Sequence, residues 1–141
     1  MRRNGFTLIE MMIVIVIMGI MLAMATPKVH DWSASAGARG ARTAAVSLLA
    51  QARAAAIQNN QITEAQFNGS EGAAVIIATN DTVAKVSFNG DYGASMSPSA
   101  WWVRYDPRGI GAPSSSTVTA TFSRSGKSSS LTVSGFGRVT Q

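Results

Sequence analysis

The sequence predicts an α+β chain: one long N-terminal helix, hydrophobic in its first half, packed on a small domain of short antiparallel strands. Three observations carry this. From Phe6 to Ala25 the side chains are almost all apolar, and Glu10 is the single charge. From Ala41 to Ile57 the text is alanine-rich, the composition with the strongest helix propensity. After Asn60 the pattern changes to short β-branched and aromatic runs punctuated by Gly, Asn, Asp and Ser.

The elements follow in order. A helix over the twenty residues from Phe6 to Ala25 would be about 30 Å long, close to the thickness of a bilayer's hydrocarbon core. Pro27 follows, and inside a helix it removes a hydrogen bond and bends or breaks it. Ser33 to Gly40 reads as weakly helical at best, because Gly37 and Gly40 each cost about 1 kcal/mol against alanine. In the stretch from Ala41 to Ile57, helical geometry puts Val46, Leu49 and Ile57 on a side with Arg39, Arg42 and Arg53. Leu48, Ala41, Ala44, Ala52 and Ala55 share the other side. Neither is a clean solvated stripe. That fits a helix packed on its own domain on one side and on other subunits on the other, a solvent-backed helix being the simpler alternative. Asn59-Asn60 ends it.

Ala73 to Ala78 and Val83 to Phe88 read as strands joined by a hairpin turn at Thr79 to Thr82, and Asn89 to Gly93 as a turn. Trp101 to Tyr105 reads as a strand stopped by Asp106-Pro107-Arg108-Gly109. Thr117 to Phe122 alternates and is β-branched, so it is a strand. Ser123 to Gly126 turns, Ser130 to Val133 is a further strand, Ser134 to Gly137 turns again, and Arg138 to Thr140 closes the sheet.

The 141 residues leave room, beside one apolar segment, for one small globular domain. There is no cysteine, so an exported domain must hold itself by its core and its neighbours. Net charge is +5, or +3 without Arg2 and Arg3, which hints at an acidic lipid, nucleic acid or protein partner.

The start of the chain is its most specific feature. A carboxylate within an apolar helix costs about 2.5–3.5 kcal/mol at the bilayer centre and less near its edge, so Glu10 requires a partner. Gly5-Phe6-Thr7-Leu8-Ile9-Glu10, after a short basic leader, resembles the cleavage and methylation motif of type IV pilins and type II secretion pseudopilins. The resemblance implies that a prepilin peptidase cuts between Gly5 and Phe6 on the cytoplasmic side and methylates the new amine of Phe6. It also implies that Glu10 pairs with the Phe6 amine of a neighbouring subunit in a filament. Pilins often carry a proline near position 27, which favours a kink or a locally melted turn there over a helix end. The resulting division is 1–5 leader, 6–26 transmembrane or filament-core helix, 27–60 remainder of the helix, and 61–141 β-rich domain.

Two plainer readings of the same stretch are a secretory signal peptide cut after Ala23-Met24-Ala25 and a simple single-span anchor. In each, Arg2 and Arg3 stay in the cytoplasm at the inner membrane and the rest of the chain is exported, although Lys28, Arg39 and Arg42 weaken that charge asymmetry.

The second half narrows the resemblance. Asp106-Pro107-Arg108-Gly109 after a strand, a Ser/Thr-rich strand, then Leu131-Thr132-Val133 and a terminal Gly137-Arg138-Val139 are similar to the GspH/FimT family of minor pseudopilins and minor pilins. The absence of cysteine leans the same way, since many major pilins carry a C-terminal disulfide.

No catalytic or metal-ligating constellation is visible, and no cofactor is implied. His30 is the lone histidine and sits beside Asp31 just past the apolar run. Ser125-Gly126-Lys127-Ser128 imitates the tail of a P-loop, but Thr121 stands where its first glycine is required. An enzyme is therefore not the reading. From Ala100 onward, Arg104, Arg108, Arg124, Lys127 and Arg138 face only Asp106, with Trp101, Trp102, Tyr105 and Phe136 interleaved. Cations for phosphates and aromatics for stacking suit a DNA surface. The plainer alternative is a sheet core edged by solvated arginines. Some FimT-type minor pilins bind DNA through a C-terminal Gly-Arg-x-Arg motif, and here Thr140 replaces the second arginine. The leading expectation is a structural minor subunit of a type II secretion pseudopilus or type IV pilus, and the second is a DNA-binding minor pilin of natural transformation.

Overall fold

The computed structural model describes residues 6–69, 72–77 and 82–140. It divides into two compact units, Met1–Ser33 and Ala34–Gln141. Helix α1 is Leu8–Asn59, and it does not end at Pro27. Its start is capped: Thr7 Oγ1 accepts a hydrogen bond from the Glu10 backbone N–H at 3.3 Å, satisfying one of the orphan donors of the first turn. It stops at Asn59–Asn60, as expected, where Asn60 takes a left-handed φ of 50°.

Within the second unit, Ala34, Ala38, Ala41, Ala45, Leu48 and Ala52 form a buried stripe at three- and four-residue spacing. Small side chains let the sheets approach the helix closely. The same logic corrects the expectation of weak helix from Ser33 to Gly40. A Cβ on Gly37 would lie 2.6 Å from the Arg124 side chain and 2.7 Å from the Tyr92 carbonyl oxygen, and one on Gly40 2.8 Å from the Tyr92 ring. Tertiary packing against bare backbone outweighs the local propensity cost.

The strands are β1 Thr63–Asn68, β2 Gly72–Ile77, β3 Thr82–Val86, β4 Ser95–Ser97, β5 Ala100–Tyr105, β6 Gly111–Pro113, β7 Thr117–Arg124, β8 Lys127–Ser134 and β9 Val139–Thr140. They form two antiparallel sheets, in the orders β3-β2-β1-β5-β6 and β4-β7-β8-β9, where the sequence suggested a single one. The β2–β3 pairing agrees with the expected hairpin, but most of its turn (78–81) lies outside the described residues. Phe88–Tyr92, read as part of a strand and a turn, is a short helix, α2. Ser87 Oγ caps it by accepting from the Gly90 N–H, and Gly93 closes it in the left-handed region.

β5 and β7 alternate strictly in burial over most of their length. Their inward residues join an aromatic series that crosses the domain. Trp101 and Phe67 of the first sheet stack at 3.8 Å, Phe88 of α2 lies 6.3 Å from Phe67, and Phe122 of the second sheet meets Phe88 edge-on at 5.0 Å. This answers the question about the aromatics in part: Trp101 and Tyr105 are core, whereas Trp102 and Phe136 point outward.

Candidate functional site

The first candidate is the N-terminal segment. Gly5, the expected residue before the cut, lies outside the described residues. Phe6 is 70% exposed, and every described side chain from Phe6 to Met24 is exposed. Among the described residues, α1 is the one helix long and apolar enough to cross a membrane. Glu10 sits in its first turn, where a negative charge complements the helix dipole. Its carboxylate has no hydrogen-bond or ion-pair partner among the described residues. The segment is thus an exposed apolar helix whose one carboxylate has no partner among the described residues.

The second candidate is the set of basic residues in the last third, and the structure scatters them. Arg104 stands on the outward face of β5, directly opposite Glu64 of β1. Its Nη2 and Nε both donate to Glu64 Oε2, at 2.7 and 3.1 Å, while its guanidinium lies 5.1 Å from the Trp102 ring centroid. Arg108 is exposed in the β5–β6 turn, which Asp106 organises by accepting from the N–H groups of Arg108 and Ile110. Arg124 donates to the Tyr92 carbonyl at 2.9 Å and packs against Gly37 and Gly93. Lys127 is its cross-strand partner at the tip of the β7–β8 hairpin. Arg138 lies near the opposite end of that hairpin, whose eight-residue strands span about 23 Å. The five side chains therefore do not share one face.

Arg138 instead shares a groove with a helix residue outside that basic set. Arg53 of α1 and Arg138 line one groove with Val46, Leu49, Ala50, Tyr105, Phe136, Gly137 and Val139, a volume of about 470 Å³. Helical spacing placed Arg53 in line with Val46 and Leu49. What stands opposite is set by non-local packing, so no local signal could reveal it. Gly137 has a backbone reason to be glycine: φ is +71°, and an added Cβ would lie 2.7 Å from Gly111 Cα. The terminal Gly-Arg pair is thus partly a packing device.

Tyr105 closes the inner wall of this groove. Burial pushes its phenol above the ordinary tyrosine value, and the nearby Arg53 guanidinium partly opposes that rise. This group's contribution to stability is full below a pH of about 10, where the unfolded phenol still keeps its proton, and is lost as pH rises from there through the raised native value. Arg53→Gln should move the Tyr105 titration further upward, measured by near-ultraviolet absorbance. A downward move would contradict the assignment.

Comparison with known proteins adds three findings. Residues 1–26 match the prokaryotic N-terminal methylation motif. A fimbrial protein of Neisseria meningitidis serogroup B (strain MC58) is 31% identical over 83 residues, which are 59% of this chain and 46% of that protein. The match thus spans about half the length of that relative. The crystal structure of the type IV minor pilin FimU of Pseudomonas aeruginosa PAO1 superposes with a TM-score of 0.52 at 15% identity, covering 73% of this chain and 86% of that one. At that identity, what is shared is the fold. The chain thus carries the prokaryotic N-terminal methylation motif over its first 26 residues and, beyond it, a helix-and-sheet fold similar to that of the minor pilin FimU.

Proposed function

We propose that the chain is a minor structural subunit of a type II secretion pseudopilus or type IV pilus. A prepilin peptidase cuts between Gly5 and Phe6 and methylates the Phe6 amine. Before assembly the chain spans the inner membrane once, with its N-terminus in the cytoplasm and the strand-rich unit exported. In the filament its partners are other pilin or pseudopilin subunits, whose Phe6-type amine neutralises Glu10.

The observation that carries this reading is Glu10, a carboxylate without a partner among the described residues, on the Leu8 to Met24 part of α1, where every residue is exposed and the other side chains are apolar. Among the described residues nothing satisfies that segment. A bilayer satisfies its apolar surface, and only an assembly supplies both an apolar environment and a counter-charge. The minor role is supported by the fold shared with FimU and by the lack of cysteine.

The DNA-binding alternative receives no matching support. Arg104 is neutralised by Glu64, Arg124 is engaged with the Tyr92 carbonyl, and the basic groups are dispersed.

Processing tests the proposal. Gly5→Arg should abolish cleavage, because the peptidase must pass the backbone closely at that position. The uncut chain should accumulate in the inner membrane and be absent from sheared filaments, read by gel mobility and fractionation. Unchanged mobility of the Gly5→Arg chain would contradict the cut at this position.

A further inference from the structure

The groove between α1 and the segment leading into β9 is not used by the filament reading. Its floor is apolar, formed mainly by Val46, Leu49 and Val139. Two guanidinium groups line it from separate elements, Arg53 on α1 and Arg138 before β9. Neither has an ion pair or hydrogen bond among the described residues, in contrast to Arg104 and Arg124. Among the described residues, no acidic side chain lines the groove. At its rim Phe136 is 81% exposed.

Two like charges on one weakly polar concavity focus a positive potential into it. The group that complements them is a carboxylate, which a guanidinium binds with two parallel hydrogen bonds. The apolar floor adds a second demand, for an aliphatic or aromatic body attached to that carboxylate. The volume lies within the range of about 300–1,000 Å³ typical of ligand pockets. Arginine and aromatic side chains around a small apolar centre are also what protein-binding hot spots are made of. A nucleic-acid backbone asks for something different, a stripe of solvated cations.

We propose that this groove docks a short acidic and apolar peptide segment of another polypeptide. Arg53 and Arg138 hold an Asp or Glu carboxylate, and the neighbouring Leu- or Phe-type side chain rests on Val46 and Leu49.

The test uses the full chain, isotope-labelled and in detergent micelles, followed by nuclear magnetic resonance. The probe is the peptide N-acetyl-Ala-Leu-Asp-Phe-Ala-amide, with its Asn counterpart and a short DNA duplex as separate arms. Saturable shifts are expected at Val46, Leu49 and Val139 and at the side-chain nitrogens of Arg53 and Arg138. The Asn peptide, Arg53→Gln and Arg138→Gln should each weaken binding by about tenfold or more, as loss of a charge-assisted hydrogen bond predicts. Glu64→Gln, on the outward face of the first sheet, should change nothing at these signals. An unchanged spectrum elsewhere in each variant shows that it is folded.

Absence of saturable shifts with the Asp peptide would overturn the proposal, as would equal binding of the Asn peptide. Saturation of the same signals by duplex DNA without a peptide response would overturn it in favour of a nucleic-acid surface. Neither cleavage nor filament assembly enters this measurement, so its failure leaves the filament reading untouched.

Discussion

Phe122→Ala should destabilise the second compact unit by about 3–5 kcal/mol, the usual cost of removing a fully buried phenylalanine. Phe122 is completely buried. It is also the second sheet's contribution to the aromatic series, reaching Phe67 and Trp101 of the first sheet through Phe88 of α2. Truncation leaves a cavity where the two sheets meet. Against a total stability of about 5–15 kcal/mol for a small domain, this removes a large share, and at the low end of that range it unfolds a large fraction of the chains. The measurement is urea denaturation of residues 34–141, followed by the fluorescence of Trp101 and Trp102. Phe136→Ala, at an exposed position, should stay within about 0.5 kcal/mol of the parent. A loss below about 1 kcal/mol for Phe122→Ala would mean that the two sheets are not joined through this cluster.

Glu10→Val should leave membrane insertion intact or improved, since a charge is removed from an apolar helix. Incorporation into filaments should fall by about tenfold or more, the scale of one lost charge pair in a weakly polar environment. The helix cap is not a confounding factor, because Thr7 accepts from the Glu10 backbone N–H and not from its side chain. Glu10→Gln separates charge from shape. It keeps the side chain's length and polarity, and should incorporate nearly as poorly as the valine variant. The check is immunoblotting of sheared filaments against the membrane fraction. Normal incorporation of both variants would show that the charge of Glu10 is incidental to assembly.

The parts of the fold legible in the sequence were those with strong local signals. The apolar run and the alanine-rich stretch announced the helix. The β-branched alternation from Thr117 to Phe122 announced β7, an inner strand of the second sheet. Elements set by tertiary contacts were not legible. Thr63–Asn68 reads as polar and undirected, yet it is the middle strand of the first sheet, because Thr63, Ala65 and Phe67 happen to face inward. Gly37 and Gly40 looked like helix breakers and are instead contact points for Arg124 and Tyr92. The short strands β4 and β6 have three residues each, too few to show a period.

The candidate sites divide in the same way. The N-terminal motif is local, so it could be read directly from residues. The groove joins Val46 and Arg53, in line on one helix, to Arg138, which lies 85 positions beyond Arg53, and no spacing rule links Arg138 to that pair. Counting basic residues along the chain suggested one surface, whereas strand register places Arg104 opposite Glu64 and puts Arg124 and Arg138 near opposite ends of a hairpin.

The most direct test of the account is the mass of the N-terminal peptide of the protein recovered from the cell envelope. A chain beginning at Phe6 and carrying one N-methyl group is the expected result. An intact Met1, or a first residue just after Ala25, would contradict the pilin-type processing on which the proposed function rests.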